Sequence, residues 1–160
     1  MYKRQILATV GALFAYQGGA TQANAGLLKN EAAIKKTEAA NQWAYYQSKS
    51  TKQSLAEFAR DLAPEDKRNA YQAKVDRYET EKNEIKKEAE RLDAESKERD
   101  EASEAQMHQH HRWAQATTAL QISIAMAAIA LLTKRRWLEW ATLGLGGAGV
   151  VVGVLAWFHV

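Results

Sequence analysis

The chain has no cysteine and a single proline, Pro64, and none of its nine glycines lies between Gly26 and Gly144. Without thiols there are no disulfide staples, thiolate nucleophiles or thiolate metal sites. The redox compartment stays open, since many exported proteins also lack disulfides. With no other breaker in that stretch, helices can run long, interrupted only at Pro64. Also missing are the phosphate-cradling G-x-x-x-x-G-K-[ST] loop, the metal-binding H-E-x-x-H pair and the G-x-S-x-G nucleophile elbow. The many carboxylates fall on long polar stretches rather than in a concave pocket. These absences predict a non-enzymatic protein that uses no cofactor.

What is present is sharply divided. Residues 26–113 are polar and heavily charged, and residues 114–160 are almost wholly apolar. Two apolar segments, Ala114–Leu132 and Leu138–Val160, flank the basic turn Thr133-Lys134-Arg135-Arg136. Each is long enough to cross a hydrocarbon core of roughly 30 Å as a helix. The pattern predicts an integral membrane protein. The formal charge of +3 does not point to nucleic acid. Residues 65–104 hold fourteen acidic and ten basic side chains, so the charged stretch is net acidic there. The surplus cations, Lys3, Arg4 and Lys134–Arg136, sit beside apolar segments, as topology signals do. Lys134, Arg135 and Arg136 are expected on the cytoplasmic side. Residues 26–113 then lie on the opposite side, in agreement with a cytoplasmic start at Lys3 and Arg4.

The N-terminal apolar run Ile6–Tyr16 admits two readings. A basic start, a short apolar core and small residues ending at Ala25 fit a cleaved signal peptide. An uncleaved transmembrane anchor within residues 1–25 fits as well, since Gly and Ala are tolerated in such helices.

Residues 26–113 are dominated by Ala, Glu, Lys, Gln and Arg, all good helix formers. Pro64, followed by Glu65 and Asp66, suits the first turn of a new helix. The reading is one helix over about 26–62 and a second starting near 64, forming a long antiparallel hairpin. At about 1.5 Å per residue, the stretches 26–62 and 65–113 reach roughly 55 and 70 Å. A coiled-coil period is visible on both sides. On the first helix the stripe is Leu27, Ile34, Asn41, Ala44, Ser48, Thr51, Leu55, Phe58 and Leu62. On the second it is Tyr71, Val75, Tyr78, Ile85, Ala89 and Leu92, fading through Ser96, Arg99 and Ser103. The fold class expected is all-α, with an N-terminal apolar helix, a long helical hairpin over 26–113 turning near 61–66, and a C-terminal two-helix transmembrane hairpin over 114–160.

Some residues stand out as carriers of specificity. Trp43 and Tyr46 share a helix face, while Tyr45 points away. The pair either wedges against the second helix or a neighbouring subunit, or docks another protein. Met107-His108-Gln109-His110-His111-Arg112-Trp113 precedes the first apolar span. Glu104, His108 and His111 fall on one face and are weak candidates for a metal site. The bland alternative is a polar collar at headgroup level, anchored by Arg112 and Trp113. Within Ala114–Leu132 lie Thr117, Thr118, Gln121 and Ser123, and the amide of Gln121 demands a partner in the bilayer. Ala119, Ser123 and Ala127 form one small-residue ridge, and Gly146, Gly149 and Gly153 another. Such ridges let helices approach closely.

Three ordered blocks resemble a bacterial family of membrane proteins, the DUF4337 family. They are Asn41-Gln42-Trp43-Ala44-Tyr45-Tyr46-Gln47-Ser48-Lys49-Ser50, then His111-Arg112-Trp113-Ala114 with Ala119–Ala125, then Ile129–Leu138 with the glycine-rich end. The resemblance covers nearly the whole chain. It implies one N-terminal membrane helix, retained rather than cleaved, a long helical insert and a C-terminal membrane hairpin. At the start the likeness weakens, since family members usually carry a longer polar lead and a fuller first span. The family implies no activity, catalytic residue or partner. Together these readings predict a multi-pass protein of the bacterial inner membrane, with its arm on the periplasmic side. Its partners would be the lipid bilayer and further copies of itself, with no nucleic acid. Self-association would involve Gln121, Ser123, Gly149 and Gly153. The alternatives are an accessory or sensor subunit docking an envelope protein through Trp43 and Tyr46, and a small oligomeric pore around Gln121 and Thr118.

Overall fold

A computed structural model describes the backbone from Tyr2 to Phe158, with side chains from Gln5 onward. The charge signals at Lys3 and Arg4, and the last residues His159 and Val160, lie outside the described side chains. Among the described residues there are three α-helices and no strand: α1 (Tyr2–Leu62), α2 (Glu65–Thr133) and α3 (Arg136–Trp157). The breaks fall where the sequence demands them. Pro64 has no amide hydrogen to continue α1, and its carbonyl accepts the Lys67 N–H at 3.0 Å to open α2. Glu65 and Asp66 occupy the first turn, where the helix dipole favours acids. At the far end of α2, Lys134 adopts a left-handed backbone with φ 52°. Its N–H bonds the Ala130 carbonyl at 2.9 Å, the αL way of closing a helix, here made without glycine. Arg135 is extended and leads into α3 with no side-chain cap.

The helices form two compact units, Lys29–Asp100 and Met1–Leu28 with Glu101–Val160. These boundaries differ from the expected ones at 25/26 and 113/114. Residues 101–113 belong with the apolar segments because polar contacts hold them there. Ser103 Oγ donates to the Ala25 carbonyl at 2.8 Å, His110 Nδ1 lies 2.8 Å from the Gly18 carbonyl, and Gln109 Nε2 donates to the Ala156 carbonyl at 3.0 Å.

Within Lys29–Asp100, stretches of α1 and α2 lie side by side. Their partners run in opposite directions: Lys29 with Asp100, Lys36 with Asp93, Lys49 with Glu81 and Arg60 with Gln72. The seam is Ala32, Ala39 and Ala56 from α1 and Val75, Ile85, Ala89 and Leu92 from α2. On α2 these are the positions its stripe marks. On α1 the expected stripe is on the wrong side. Ile34, Leu55, Phe58 and Leu62 are exposed, at 58–70%, and Leu27 is exposed as well. Alanine wins the seam because it lets the backbones come close enough for Ser96 Oγ to reach the Ala32 carbonyl, at 2.9 Å. A leucine there would hold the helices apart. After Leu92 the α2 seam skips Arg99, which is exposed, and continues on serine. Ser96 and Ser103 are both buried, and both donate to carbonyls of α1.

In the other unit, α3 buries only small residues: Thr142, Gly146, Gly149, Gly153 and Ala156. Its large residues Trp140, Leu143, Val151 and Leu155 are exposed. α2 and α3 are each long and apolar enough to cross a membrane, and α1 is not among the helices that meet this measure. The short apolar run noted in the sequence gives way at Gln17-Gly18-Gly19.

Candidate functional site

The aromatic block of α1 is a clasp on α2. Trp43 Nε1 donates to Asp93 Oδ2 at 2.8 Å, and its ring meets Tyr46 edge-on at 5.8 Å. Both are half-buried, while Tyr45 is 48% exposed. Six residues on from Trp43, the Lys49 ammonium bonds Glu81 at 2.5 Å. It also lies 5.1 Å from the ring centre of Tyr45 and 5.7 Å from that of Tyr78. Lys82 repeats the motif from the other helix, 5.6 Å from the Tyr46 ring and 2.7 Å from Gln53 Oε1. Cations are thus pinned between aromatic faces and carboxylates. The electrostatics follow. The Glu81 carboxyl is held below its ordinary value chiefly by the hydrogen bond from Lys49, and the Lys49 ammonium is raised in turn, chiefly by Glu81. Asp93 is lowered, first by Lys36 and then by Trp43. Trp43 and Tyr46 accordingly take the wedge arrangement toward the second helix.

Asp93 was not legible as part of this group, since it reads as one acid among many. The signal for it was register. Once Pro64 fixes the turn, counting outward along both helices brings Lys36 to Asp93 and Lys29 to Asp100.

In the apolar unit the polar residues of α2 separate by role. Ser123 is fully buried and donates to the Thr142 carbonyl of α3 at 2.9 Å. Thr118 bonds its own helix at Ala114. Thr117 Oγ1 is buried and has no hydrogen-bond partner. Gln121 is exposed. The glycines of α3 are spent inside the chain. A Cβ at Gly149 would sit 3.1 Å from Ala119 Cβ and 3.2 Å from the Ala116 carbonyl, and one at Gly146 would sit 2.9 Å from Ser123 Oγ. A Cβ at Gly153 would collide with the ring of Phe14. Ser123, Gly149 and Gly153, expected to join copies of the protein, join α1, α2 and α3 within one copy. The reason is the same N-terminal run: Phe14 fills the notch at Gly153 and stacks against Trp113 with ring centres 5.2 Å apart. Trp113 in turn meets Trp157 edge-on at 6.4 Å, so the expected interface anchor is a buried core residue, 4% exposed.

Glu104, His108 and His111 are exposed, and no group of three or more His, Asp or Glu among the described residues is placed to hold a metal ion. Lys134, Arg135 and Arg136 are exposed and make no ion pair within the described residues.

Sequence comparison agrees with the blocks that frame these contacts. A family model described as "Domain of unknown function (DUF4337)" matches residues 5–159, nearly the whole chain. No curated protein and no solved structure matches. The chain belongs to the DUF4337 family.

Proposed function

We propose that this DUF4337 protein is a membrane-anchored helical scaffold that self-associates, without enzymatic activity. The observation that carries the membrane assignment is the inverted distribution of side-chain size in Met1–Leu28 with Glu101–Val160. Only 22% of the apolar window of α2 and 28% of that of α3 is buried within the protein. Apart from Trp113 and Leu120, the buried side chains of α2 and α3 there are glycine, alanine, serine and threonine, while Ile122, Ile129, Leu132, Trp140, Leu143, Val151 and Leu155 face outward. A core helix of a water-soluble protein hides its large apolar residues. A helix in lipid gains nothing by hiding them and packs through small ones. The exposed cations of the Lys134–Arg136 turn suit the cytoplasmic side of the bacterial inner membrane. The arm formed by α1 and α2 as a helical hairpin then lies on the periplasmic side. The packing of Phe14 into α3 favours a retained first segment over a cleaved one.

Self-association rests on Gln121. Its amide lies on the outer face of an apolar stretch, and an amide facing hydrocarbon is costly unless another helix satisfies it. The mass of the protein part of the complex in mild detergent tests this. A discrete homo-oligomer that dissociates on Gln121→Leu supports the scaffold. A monomer, or a fixed complex with a different protein, refutes self-association and favours an accessory role. In that second reading the docking residue is Tyr45, the aromatic of the block left half exposed.

A further inference from the structure

We infer that the outward face of α1 in the charged unit docks, parallel and in register, on the same face of a second copy. This deepens the self-association proposed above by naming a surface outside the apolar unit.

The side of α1 that meets α2 carries Ala32, Ala39 and Ala56. Roughly opposite, half a helical turn away, Ile34, Asn41, Ser48, Leu55 and Leu62 recur at intervals of seven. Thr37, Ala44, Thr51 and Phe58 follow three residues behind the first four. All nine are exposed. That is the a and d pattern of a two-stranded coiled coil, on a face that nothing in Lys29–Asp100 covers. The hydroxyls of Thr37 and Thr51 are already used on carbonyls of their own helix, at 2.9 and 3.0 Å.

The pattern itself selects the occupant. Apolar layers lie at the two ends (Ile34; Leu55, Phe58, Leu62) and polar layers lie between them (Thr37, Asn41, Ser48, Thr51). A second copy running parallel and in register matches every layer with its like. Asn41 then faces Asn41, and an amide is both donor and acceptor, so the two bond each other. A single asparagine at such a position is a known determinant of register in two-stranded coils. The antiparallel alternative that sets Ile34 on Phe58 would set Leu55 on Thr37 and Leu62 on Asn30. The flanking positions agree as well. Ala33, Ala40, Gln47 and Ser54 are uncharged, so the parallel approach brings no like charges together across that edge.

The absence of native cysteine makes the test direct. Single cysteines are placed in the full chain by Ser48→Cys, in the seam, and by Glu84→Cys, on an exposed part of α2. Disulfide formation is followed in proteoliposomes, with the oligomer mass measured in parallel. The expected result is a covalent dimer from Ser48→Cys and none from Glu84→Cys. Adding Leu55→Lys and Phe58→Lys should lower the Ser48→Cys dimer at least about tenfold while leaving the helix content intact, since both side chains are exposed. An oligomer of unchanged mass without Ser48→Cys cross-linking would overturn this inference and leave the scaffold standing on Gln121. Equal cross-linking from both positions would overturn it too. A monomer would overturn both.

Discussion

In Lys29–Asp100 the buried positions of α1 are Ala32, Ala39 and Ala56; in the apolar unit those of α3 are Thr142, Gly146, Gly149, Gly153 and Ala156. In both units one of the packed helices presents only small side chains, and a serine hydroxyl reaches a carbonyl of the neighbouring helix. They differ in what they turn outward. The apolar unit shows large apolar residues on both α2 and α3, as suits hydrocarbon. The charged unit shows one apolar stripe on an otherwise ionic surface, as suits water on most sides and another helix on one. The two units therefore share a way of packing and differ in the surface they turn outward.

The largest effect is expected from filling a glycine notch. Gly149→Ala presses a methyl against the Ala116 carbonyl, and a backbone atom cannot swing aside. We expect a loss of about 1–3 kcal/mol, read as a lower unfolding temperature in detergent. Gly144→Ala, on a helix face with nothing nearby, should instead gain up to about 1 kcal/mol from helix propensity. Equal effects at the two sites would mean that α3 is not packed as described.

A second comparison lies within α2. Ser123→Ala removes a buried hydrogen bond and should cost about 1 kcal/mol. Thr117→Val removes a buried hydroxyl that has no partner and should stabilise by about 1 kcal/mol. The same thermal measurement decides both signs.

The clasp is the corresponding test in the charged unit. Trp43→Phe keeps the ring and loses the bond to Asp93. Loss of a hydrogen bond to a charged group should lower stability, measured by denaturant unfolding. Combining it with Asp93→Asn should cost less than the sum of the two single changes.

The smallest effect expected is that of acid. Glu79, Glu81, Glu88 and Asp93 are all lowered, chiefly by hydrogen bonds from Lys82, Lys49, Arg91 and Lys36 respectively. Carboxyls lowered on folding bind fewer protons when folded. Their stabilisation is therefore present above the ordinary values of 4.5 for Glu and 3.8 for Asp, and is lost as pH falls through the folded values. Helicity of the full chain should melt at a lower temperature at pH 3 than at pH 6. High salt should shrink the difference, because these pairs face water.

The sequence made some of this plain and hid the rest for physical reasons. Pro64 and the Thr133–Arg136 turn announce themselves, and α2 shows its seam through Val75, Ile85 and Leu92, which are large. The seam of α1 is made of alanine, which carries little hydrophobic signal. What marks it is the repeat Gly11, Gly18, Ala25, Ala32, Ala39, five small residues at intervals of seven, all buried. Following the large residues instead leads to the outer face. Trp43 was legible as a wedge, whereas its acceptor depended on the register of a distant helix. The role of Phe14 was hidden because a phenylalanine in an apolar run reads as lipid-facing, and only the notch at Gly153 shows otherwise.

A membrane-spanning scaffold requires that the outward apolar surface of α2 and α3 meet lipid. The cysteine-free chain allows this to be measured residue by residue with a membrane-impermeant maleimide in sealed vesicles of known orientation. Cysteines placed by Ile122→Cys and Val151→Cys should stay unlabelled from either side until detergent is added. One placed by Ser54→Cys should label from the periplasmic side, and one placed by Arg135→Cys only from the cytoplasmic side. Prompt labelling at both Ile122→Cys and Val151→Cys in intact vesicles would contradict the membrane-spanning scaffold outright.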